Sequence, residues 1–140
     1  MGGTQNTWTV WIPLGDCDSD LDGVAVACGS NRRGYLDNTR VVSGELLNDE
    51  TQWHWNSFSC GDVLIFNIVT IHQGRDHITS DRIRLSTGAR YQTIREPVDT
   101  TAPTLHWGWA DWVELYADWE EDDSLKYYWQ LLELNIQTKS

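Results

Sequence analysis

The sequence predicts a mostly β protein that closes with two amphipathic helices, and three observations support this class. Residues 7–14 alternate as a half-buried strand does, with successive side chains on opposite faces. A continuous apolar run follows Gly61, which is typical of a strand buried on both faces. After Gln92, aromatic residues recur at helical spacing. We therefore expect a sheet core over 1–96 and a tryptophan-rich helical extension over 97–140, packed on the core as part of a single domain.

Length and charge limit the classes of partner. The 140 residues suit one domain with a substantial core. Twenty-one acidic residues against ten lysines and arginines give a formal net charge of −11, which repels phosphate backbones and anionic membrane surfaces. We therefore expect neither nucleic acid nor a membrane as a partner.

The cysteines and the first residues indicate the compartment. Cys17, Cys28 and Cys60 are odd in number and show no CxxC spacing, so the sequence predicts neither a disulfide framework nor a structural zinc site. The first residues lack the basic and apolar regions of a signal peptide, and no apolar run reaches the length of a membrane span. These features favour a cytoplasmic protein.

The first predicted strand, residues 7–14, places Thr9 and Trp11 on one face, and Pro13 marks its end or an edge position. The acidic stretch that follows, residues 15–22, lacks the glycine and the distal glutamate of an EF-hand loop, so we expect a solvated turn. The remaining elements of the first half are short or weak: a strand over 23–28, a loop over 29–34, and an excursion over 35–56 with a weak strand at 39–43.

Residues 61–92 form the centre of the prediction. The buried apolar strand at their start delivers His72 at its end. After a polar connection, a second strand places Arg82, Arg84 and Ser86 on one face, because alternate residues of a strand share a face. We expect a candidate site where these two strands meet.

The last part of the chain predicts two helices that cover one face of the sheet. Pro97 and Pro103 bracket the linker that leads to them. The first helix is defined by aromatic and apolar residues at helical spacing: Trp109, Trp112, Val113, Tyr116 and Trp119. The second helix opens at 122–124 and is defined in the same way by Leu125, Tyr128, Trp129, Leu132 and Ile136.

His72, Arg84 and Ser86 are the strongest candidates for chemistry. An imidazole at the end of a strand suits Fe(II), Zn(II) or Mn(II), and a guanidinium binds a carboxylate through two hydrogen bonds at any working pH. Ser86 shares the face of Arg84 and can donate a hydrogen bond to the same carboxylate. The same spacing also fits a structural histidine and two surface arginines, so the residues alone leave both interpretations open.

The other three histidines give weaker signals. His77 lies in a polar turn, while His54 and His106 lie beside tryptophans, as residues of packing clusters do. None of the four histidines is followed two positions later by a carboxylate. A cupin-like metal enzyme that uses His54 or His106 as further ligands is therefore a less favoured alternative.

Two stretches resemble a known family. GDVLIFNIVTIHQGRDHITSDRIRLSTGARYQ, residues 61–92, resembles the distal half of the site in the phytanoyl-CoA dioxygenase family of iron(II)/2-oxoglutarate oxygenases. TWTVWIPLGDCDSDLDGVAVACGSN, residues 7–31, resembles the family stretch with a Trp-x-x-Leu strand, an acidic turn and a Pro-Gly-Ser-His loop. The resemblance covers about residues 5–92 and implies a double-stranded β-helix, the jelly-roll fold of the cupins.

The resemblance also implies roles for five residues. His72 corresponds to a metal ligand, and Arg84 corresponds to the arginine that pairs with the far carboxylate of 2-oxoglutarate. Ser86 corresponds to the serine of an Arg-x-Ser pair. Trp11 matches an aromatic residue that borders the co-substrate, and Thr9 is a further expected contact on the same strand face.

Two departures from the family pattern affect the predicted site. The connection after His72 is one residue longer than the usual spacing, so Arg82 is an alternative anchor for the co-substrate. The His-x-Asp pair that supplies the first two metal ligands is missing, and Asn31 replaces a histidine of the family loop. By the family spacing the pair would fall just before Met1, so we expect an incomplete jelly roll that is the C-terminal part of such an enzyme.

The resemblance implies Fe(II) and 2-oxoglutarate as cofactors and the hydroxylation of a small organic substrate. Because His72 is the one expected metal ligand in the chain, we expect a fragment that is inactive alone. The alternative is a non-catalytic jelly-roll module that binds a ligand or assembles with itself, as a homodimer paired through exposed strand edges.

Overall fold

The structure, a computed structural model, describes residues 4–36, 47, 51–105, 108 and 110–137. These residues are mostly β, as the sequence predicts. They form two compact units, of which one spans Gln5–Tyr91 and the other joins Thr4 to the residues from Gln92 onward. That the two parts pack as a single domain stays a prediction. The weak strand expected at 39–43 lies outside the described residues.

The described residues contain eight strands, which are in chain order β1 (Trp8–Pro13), β2 (Val24–Ala27), β3 (Trp53–His54), β4 (Leu64–Asn67), β5 (His72–Gly74), β6 (Ser86–Tyr91), β7 (Val98–Asp99) and β8 (Ile136–Gln137). β1 lies between β4 and β6 in one antiparallel sheet. β2 lies between β3 and β5 in a second antiparallel sheet. β7 and β8 form a parallel pair in the other unit.

The chain alternates between the two antiparallel sheets of the Gln5–Tyr91 unit. It passes from β1 in the first sheet to β2 and β3 in the second, and then visits the two sheets in turn through β4, β5 and β6. The pairing is nested, because the first strand pairs with the last and β2 pairs with β5 inside them. This arrangement brings the segment before β6 next to β1 although about seventy residues separate them in the sequence.

Side chains of both sheets build the core of this unit. Trp11 of β1 and Val24 of β2 are buried and pack with Cys17, and three half-buried residues complete the cluster: Val26, Phe58 and Leu64. The rings of Trp11 and Phe58 meet edge to face with their centres 5.0 Å apart. Phe58 is held in place by a two-way backbone bridge to Cys17, with both N···O distances at 2.8 Å. The cluster therefore joins the two sheets to the acidic turn.

The strands predicted at 7–14 and 23–28 are confirmed as β1 and β2. Pro13 is the last residue of β1, as expected of a residue without a backbone N–H. The ladder with the segment before β6 continues one residue further, where the N–H of Leu14 donates to the carbonyl of Leu85 at 2.9 Å. β1 is nevertheless the central strand of its sheet and not an edge strand.

The boundary predicted at His72 is wrong. β4 stops at Asn67, because a turn follows in which the N–H of Thr70 donates to the carbonyl of Asn67 at 2.9 Å. His72 is the first residue of β5, in the second sheet, and not the end of the apolar strand. The imidazole is therefore placed by a short separate strand.

The boundary predicted for the second strand of 61–92 is also wrong. β6 begins only at Ser86, because its partner β1 ends at Pro13. Arg82 and Arg84 precede the strand. Their side chains are positioned by contacts with the acidic turn and not by a ladder.

The two predicted C-terminal helices are not found in the described residues. Trp112–Leu115 forms one helical turn, α1, and Tyr128–Leu131 forms a 3-10 turn. Asp111 and Glu114 cap the start of α1 through reciprocal hydrogen bonds of 2.8 and 3.0 Å. The turn does not extend, because an acidic run follows where the helix dipole disfavours negative charge, and because Trp and Tyr are weak helix formers.

The aromatic residues of this unit pack on one another instead. Trp112 stacks on Tyr116 with the ring centres 5.4 Å apart, and Tyr127 and Trp129 also contact Trp112. The spacing of three and four that predicted helices therefore reflects an aromatic cluster across turns. Three residues of the same stretch lie outside the described residues: His106, Trp107 and Trp109. No helix in the described ranges has the length and apolar character needed to cross a membrane.

Candidate functional site

The segment before β6 carries the arginine that the sequence singles out. Arg84 Nε donates to Asp22 Oδ1 at 2.8 Å, and Arg84 Nη2 donates to Asp22 Oδ2 at 3.1 Å, so one edge of the guanidinium binds the carboxylate twice. Arg84 Nη1 donates to Ser86 Oγ at 2.6 Å. Only 22% of the Arg84 side chain and 18% of the Asp22 side chain are exposed. The guanidinium is therefore held in one orientation at the start of β6.

The ion pair stabilises the charged form of both partners. The hydrogen bond from Arg84 lowers the pKa of Asp22, and partial burial opposes this shift. The same bond raises the pKa of Arg84, again against partial burial. Asp22 is therefore an anion and Arg84 a cation at neutral pH.

β1 adds two of the predicted site residues beside Arg84. Ladder partners share a face of the sheet, so Ser86, which lies opposite Pro13, faces the same side as Trp11 and Thr9. Arg84 Cζ lies 5.7 Å from the centre of the Trp11 ring, which is within the range of a cation–π contact. The structure thus brings Arg84, Ser86 and Trp11 together, with Thr9 two residues further along the same face.

His72 lies on the second sheet, and its imidazole contacts the ring of Phe66 on the first sheet. Its imidazole centre is 4.7 Å from the ring centre of Phe66, and Phe66 is the ladder partner of Thr9. Nδ1 of His72 lies 2.9 Å from the carbonyl oxygen of Thr70. A carbonyl oxygen only accepts, so the hydrogen is on Nδ1 and the neutral imidazole has its electron pair on Nε2. Metal-binding histidines are commonly oriented by such a bond.

The described donors do not by themselves fit a resident Fe(II) ion. The facial triad of such oxygenases takes two histidines and a carboxylate. His54 faces the same side as His72, since both are ladder partners of Val26, but β2 separates their strands by roughly 10 Å. In the ranges that the structure describes, no group of three or more His, Cys, Asp or Glu side chains could hold a metal ion. That His72 binds a metal ion therefore stays a prediction, and His106 lies outside these ranges.

The neighbouring arginine, Arg82, makes a different contact. Its Nη1 and Nη2 donate to the two carboxylate oxygens of Asp18 at 2.6 and 3.2 Å, and 41% and 52% of the two side chains are exposed. The hydrogen bond from Arg82, together with two backbone N–H groups of the turn, lowers the pKa of Asp18 to about 2. Arg82 thus fastens the acidic turn, whereas Arg84 is the arginine that contacts Ser86.

The contact of the acidic turn with Arg84 was not predicted from the sequence. A solvated turn is a correct description of the exposed Asp20 but not of Asp22, which is largely buried against Arg84. A signal was present in the charge pattern, because four aspartates lie within residues 15–22 and Arg82 and Arg84 lie two positions apart in a chain with only ten lysines and arginines. Charge pattern alone gives no pairing, so the structure was needed to assign Asp22 to Arg84.

No family model matches the chain, and no curated protein matches it. The likeness to the phytanoyl-CoA dioxygenase family therefore rests on the residues quoted above and stays a prediction.

Proposed function

We propose that this chain provides the co-substrate-binding half of an iron(II)/2-oxoglutarate-dependent oxygenase site of the phytanoyl-CoA dioxygenase type, which hydroxylates a small organic substrate. The observation that carries the proposal is the contact of Arg84 with Ser86 beside the Trp11 ring. A guanidinium with several N–H donors, a hydroxyl and an aromatic ring are the groups that bind one carboxylate end of a small dicarboxylate.

The orientation of His72 supports the same proposal. Its Nδ1–H is bound to a backbone carbonyl, so Nε2 is the atom that would bind a metal ion. Fe(II) would supply oxidative chemistry in a complete site, but it needs ligands beyond His72. We therefore propose that the chain alone turns over no 2-oxoglutarate.

For the fold we propose an incomplete double-stranded β-helix. Support comes from the two three-stranded antiparallel sheets, the alternation of the chain between them and the nested pairing of β1 with β6 and β2 with β5. In the described part of the Gln5–Tyr91 unit the sheets have open edges and do not close into a barrel.

Binding of 2-oxoglutarate, measured by isothermal titration calorimetry, tests the assignment of Arg84. Arg84→Gln is expected to weaken binding at least about tenfold, because it removes a charge-assisted contact to the ligand carboxylate. Arg82→Gln is the matched control, since Arg82 lies two residues away and binds Asp18 at the surface, and it should bind as the wild type does. Thermal unfolding of each variant shows that it is folded.

Two outcomes would reject the proposal. If Arg84→Gln binds 2-oxoglutarate as well as the wild type does, Arg84 is not the anchor. Succinate formed from 2-oxoglutarate by the isolated chain after addition of Fe(II) would contradict the proposed inactivity.

A second candidate function is that of a self-assembling module without catalysis. The observation that favours it is the edge of β6, which in the described part of the Gln5–Tyr91 unit pairs on one side only, with β1. All but the first residue of β6 are exposed, and the strand has no lysine and no proline, the residues that usually protect an edge. We propose that a second copy of the chain pairs with this edge.

A further inference from the structure

We propose that Asp22 sets the affinity of the Arg84 site by competing with a carboxylate ligand for the guanidinium. This inference rests on the proposed function, because it concerns the same arginine. It goes beyond that function by naming a residue of the chain that must be displaced, or share the guanidinium, when a dicarboxylate binds.

The hydrogen bonds of Arg84 show what a ligand would meet. A guanidinium has five N–H groups, and three of them are used, two by Asp22 and one by Ser86. Asp22 occupies the edge formed by Nε and Nη2, which is one of the two edges that can bind a carboxylate with two bonds. A ligand carboxylate must therefore either replace Asp22 on this edge or bind the terminal nitrogens beside it.

Charge makes either route unfavourable while Asp22 is ionised. The carboxylate of Asp22 neutralises Arg84, so an incoming anion meets a pair with no net charge. The nearest other guanidinium in the segment, that of Arg82, is itself bound to Asp18. An anionic ligand is thus placed beside the charge of Asp22, and the guanidinium of Arg82 is not free to balance it.

The hydrogen bonds of Asp18 and Asp22 show which of the two carboxylates a ligand could displace. The carboxylate of Asp18 accepts from the backbone N–H groups of Asp20 and Leu21, at 3.0 Å each, besides its ion pair. The hydrogen bonds described for the carboxylate of Asp22 both come from Arg84. Asp18 therefore shapes the acidic turn, whereas Asp22 is held by the guanidinium for which a ligand would compete.

Titration of 2-oxoglutarate into Asp22→Asn tests the competition. The substitution keeps the size of the side chain and removes its charge, so we expect the dissociation constant to fall about tenfold from the wild-type value. Asp20→Asn is the matched control, because it removes a carboxylate of the same turn for which the described hydrogen bond comes from Ser19 and not from an arginine. This variant should bind 2-oxoglutarate within about twofold of the wild type.

The outcomes separate this inference from the proposed function. If wild-type binding depends on Arg84 but Asp22→Asn binds equally or more weakly, Asp22 orients the guanidinium and the competition is rejected while the anchor stands. If neither the wild type nor Asp22→Asn binds 2-oxoglutarate, both the anchor and the competition are rejected. A melting temperature for each variant, together with a far-UV spectrum, ensures that a loss of binding is not a loss of folding.

Discussion

At the scale of residues, two arginines that lie two positions apart form the same kind of ion pair in different environments. Arg82 and Arg84 both bind an aspartate of the acidic turn with two hydrogen bonds. The Arg82–Asp18 pair is exposed, so water and salt screen it, whereas the Arg84–Asp22 pair is largely buried. The buried pair lies beside Trp11 and Ser86, where desolvation strengthens its interaction with other charged groups.

The low pKa of Asp18 predicts how the fold responds to acid. Its ordinary value of 3.8 falls to about 2 in the folded chain, mainly through the hydrogen bond from Arg82. As the pH falls from about 4 to 2, the unfolded chain takes up this proton before the folded chain does, so the contribution of Asp18 to stability is lost in this interval. Urea unfolding of Asp18→Asn should therefore show a smaller decrease in the free energy of unfolding over this range than the wild type shows.

The control for this prediction is Asp20→Asn. Asp20 belongs to the same turn, and the hydrogen bond described for its carboxylate comes from Ser19, so this variant keeps the Arg82–Asp18 pair and should keep the loss of stability that this pair causes. Because the Asp18 pair is half exposed, the difference should also shrink in about 0.5 M salt, where the Debye length is only a few ångströms. A wild-type slope in Asp18→Asn at low salt would contradict the prediction.

At the scale of elements, the sequence predicts strands well where burial alone decides them. β1 and β4 follow from alternation or from a continuous apolar run, and β2 follows from its small and β-branched residues. The start of β6 could not be predicted, because it is set by where its partner β1 ends at Pro13. The separation of His72 from β4 likewise depends on a turn closed by backbone hydrogen bonds.

The candidate site, like the strands, could be predicted from the sequence only in part. The alternation of strand side chains correctly places Thr9 and Trp11 on one face. The partner of Arg84 could not be predicted, since Asp22 is sixty-two positions away and its carboxylate is one of four within seven residues. The pattern of three and four in the C-terminal part failed as a helix signal because aromatic side chains at that spacing also form clusters across turns.

Phe58 links the elements of the first unit, and its truncation should be costly. Its ring packs against Trp11, and its backbone pairs with Cys17. We expect Phe58→Ala to lower the free energy of unfolding by about 2 to 3 kcal/mol, less than for a fully buried phenylalanine because Phe58 is half-buried. Urea unfolding followed by tryptophan fluorescence measures this loss.

The matched control is another apolar side chain of the same unit. Ile83 is 83% exposed, so Ile83→Ala should change the free energy of unfolding by no more than about 0.5 kcal/mol. Equal effects of the two substitutions would mean that Phe58 does not join the sheets.

At the scale of the whole molecule, the edge of β6 and the net charge have opposite effects on the association of two copies of the chain. The carbonyl of Leu85 bonds to β1, so by alternation the N–H and C=O groups of Ser86, Gly88 and Arg90 point to the other edge. A row of such groups that no described strand pairs with favours pairing with a second copy. A charge of −11 on each copy opposes it, so salt should promote the association.

Light scattering over a range of concentrations tests pairing through this edge. We expect a dimer that forms more readily at high salt, and we expect Gly88→Pro to remove it, because proline lacks the N–H that would donate to the second copy. A Cβ added at position 88 would meet no atom within 4 Å, so Gly88→Ala leaves the packing unchanged and is the matched control. Gly88→Ala keeps the N–H and should still dimerise. A wild type that stays monomeric at every concentration, or a Gly88→Pro variant that dimerises as the wild type does, would show that β6 is not the interface.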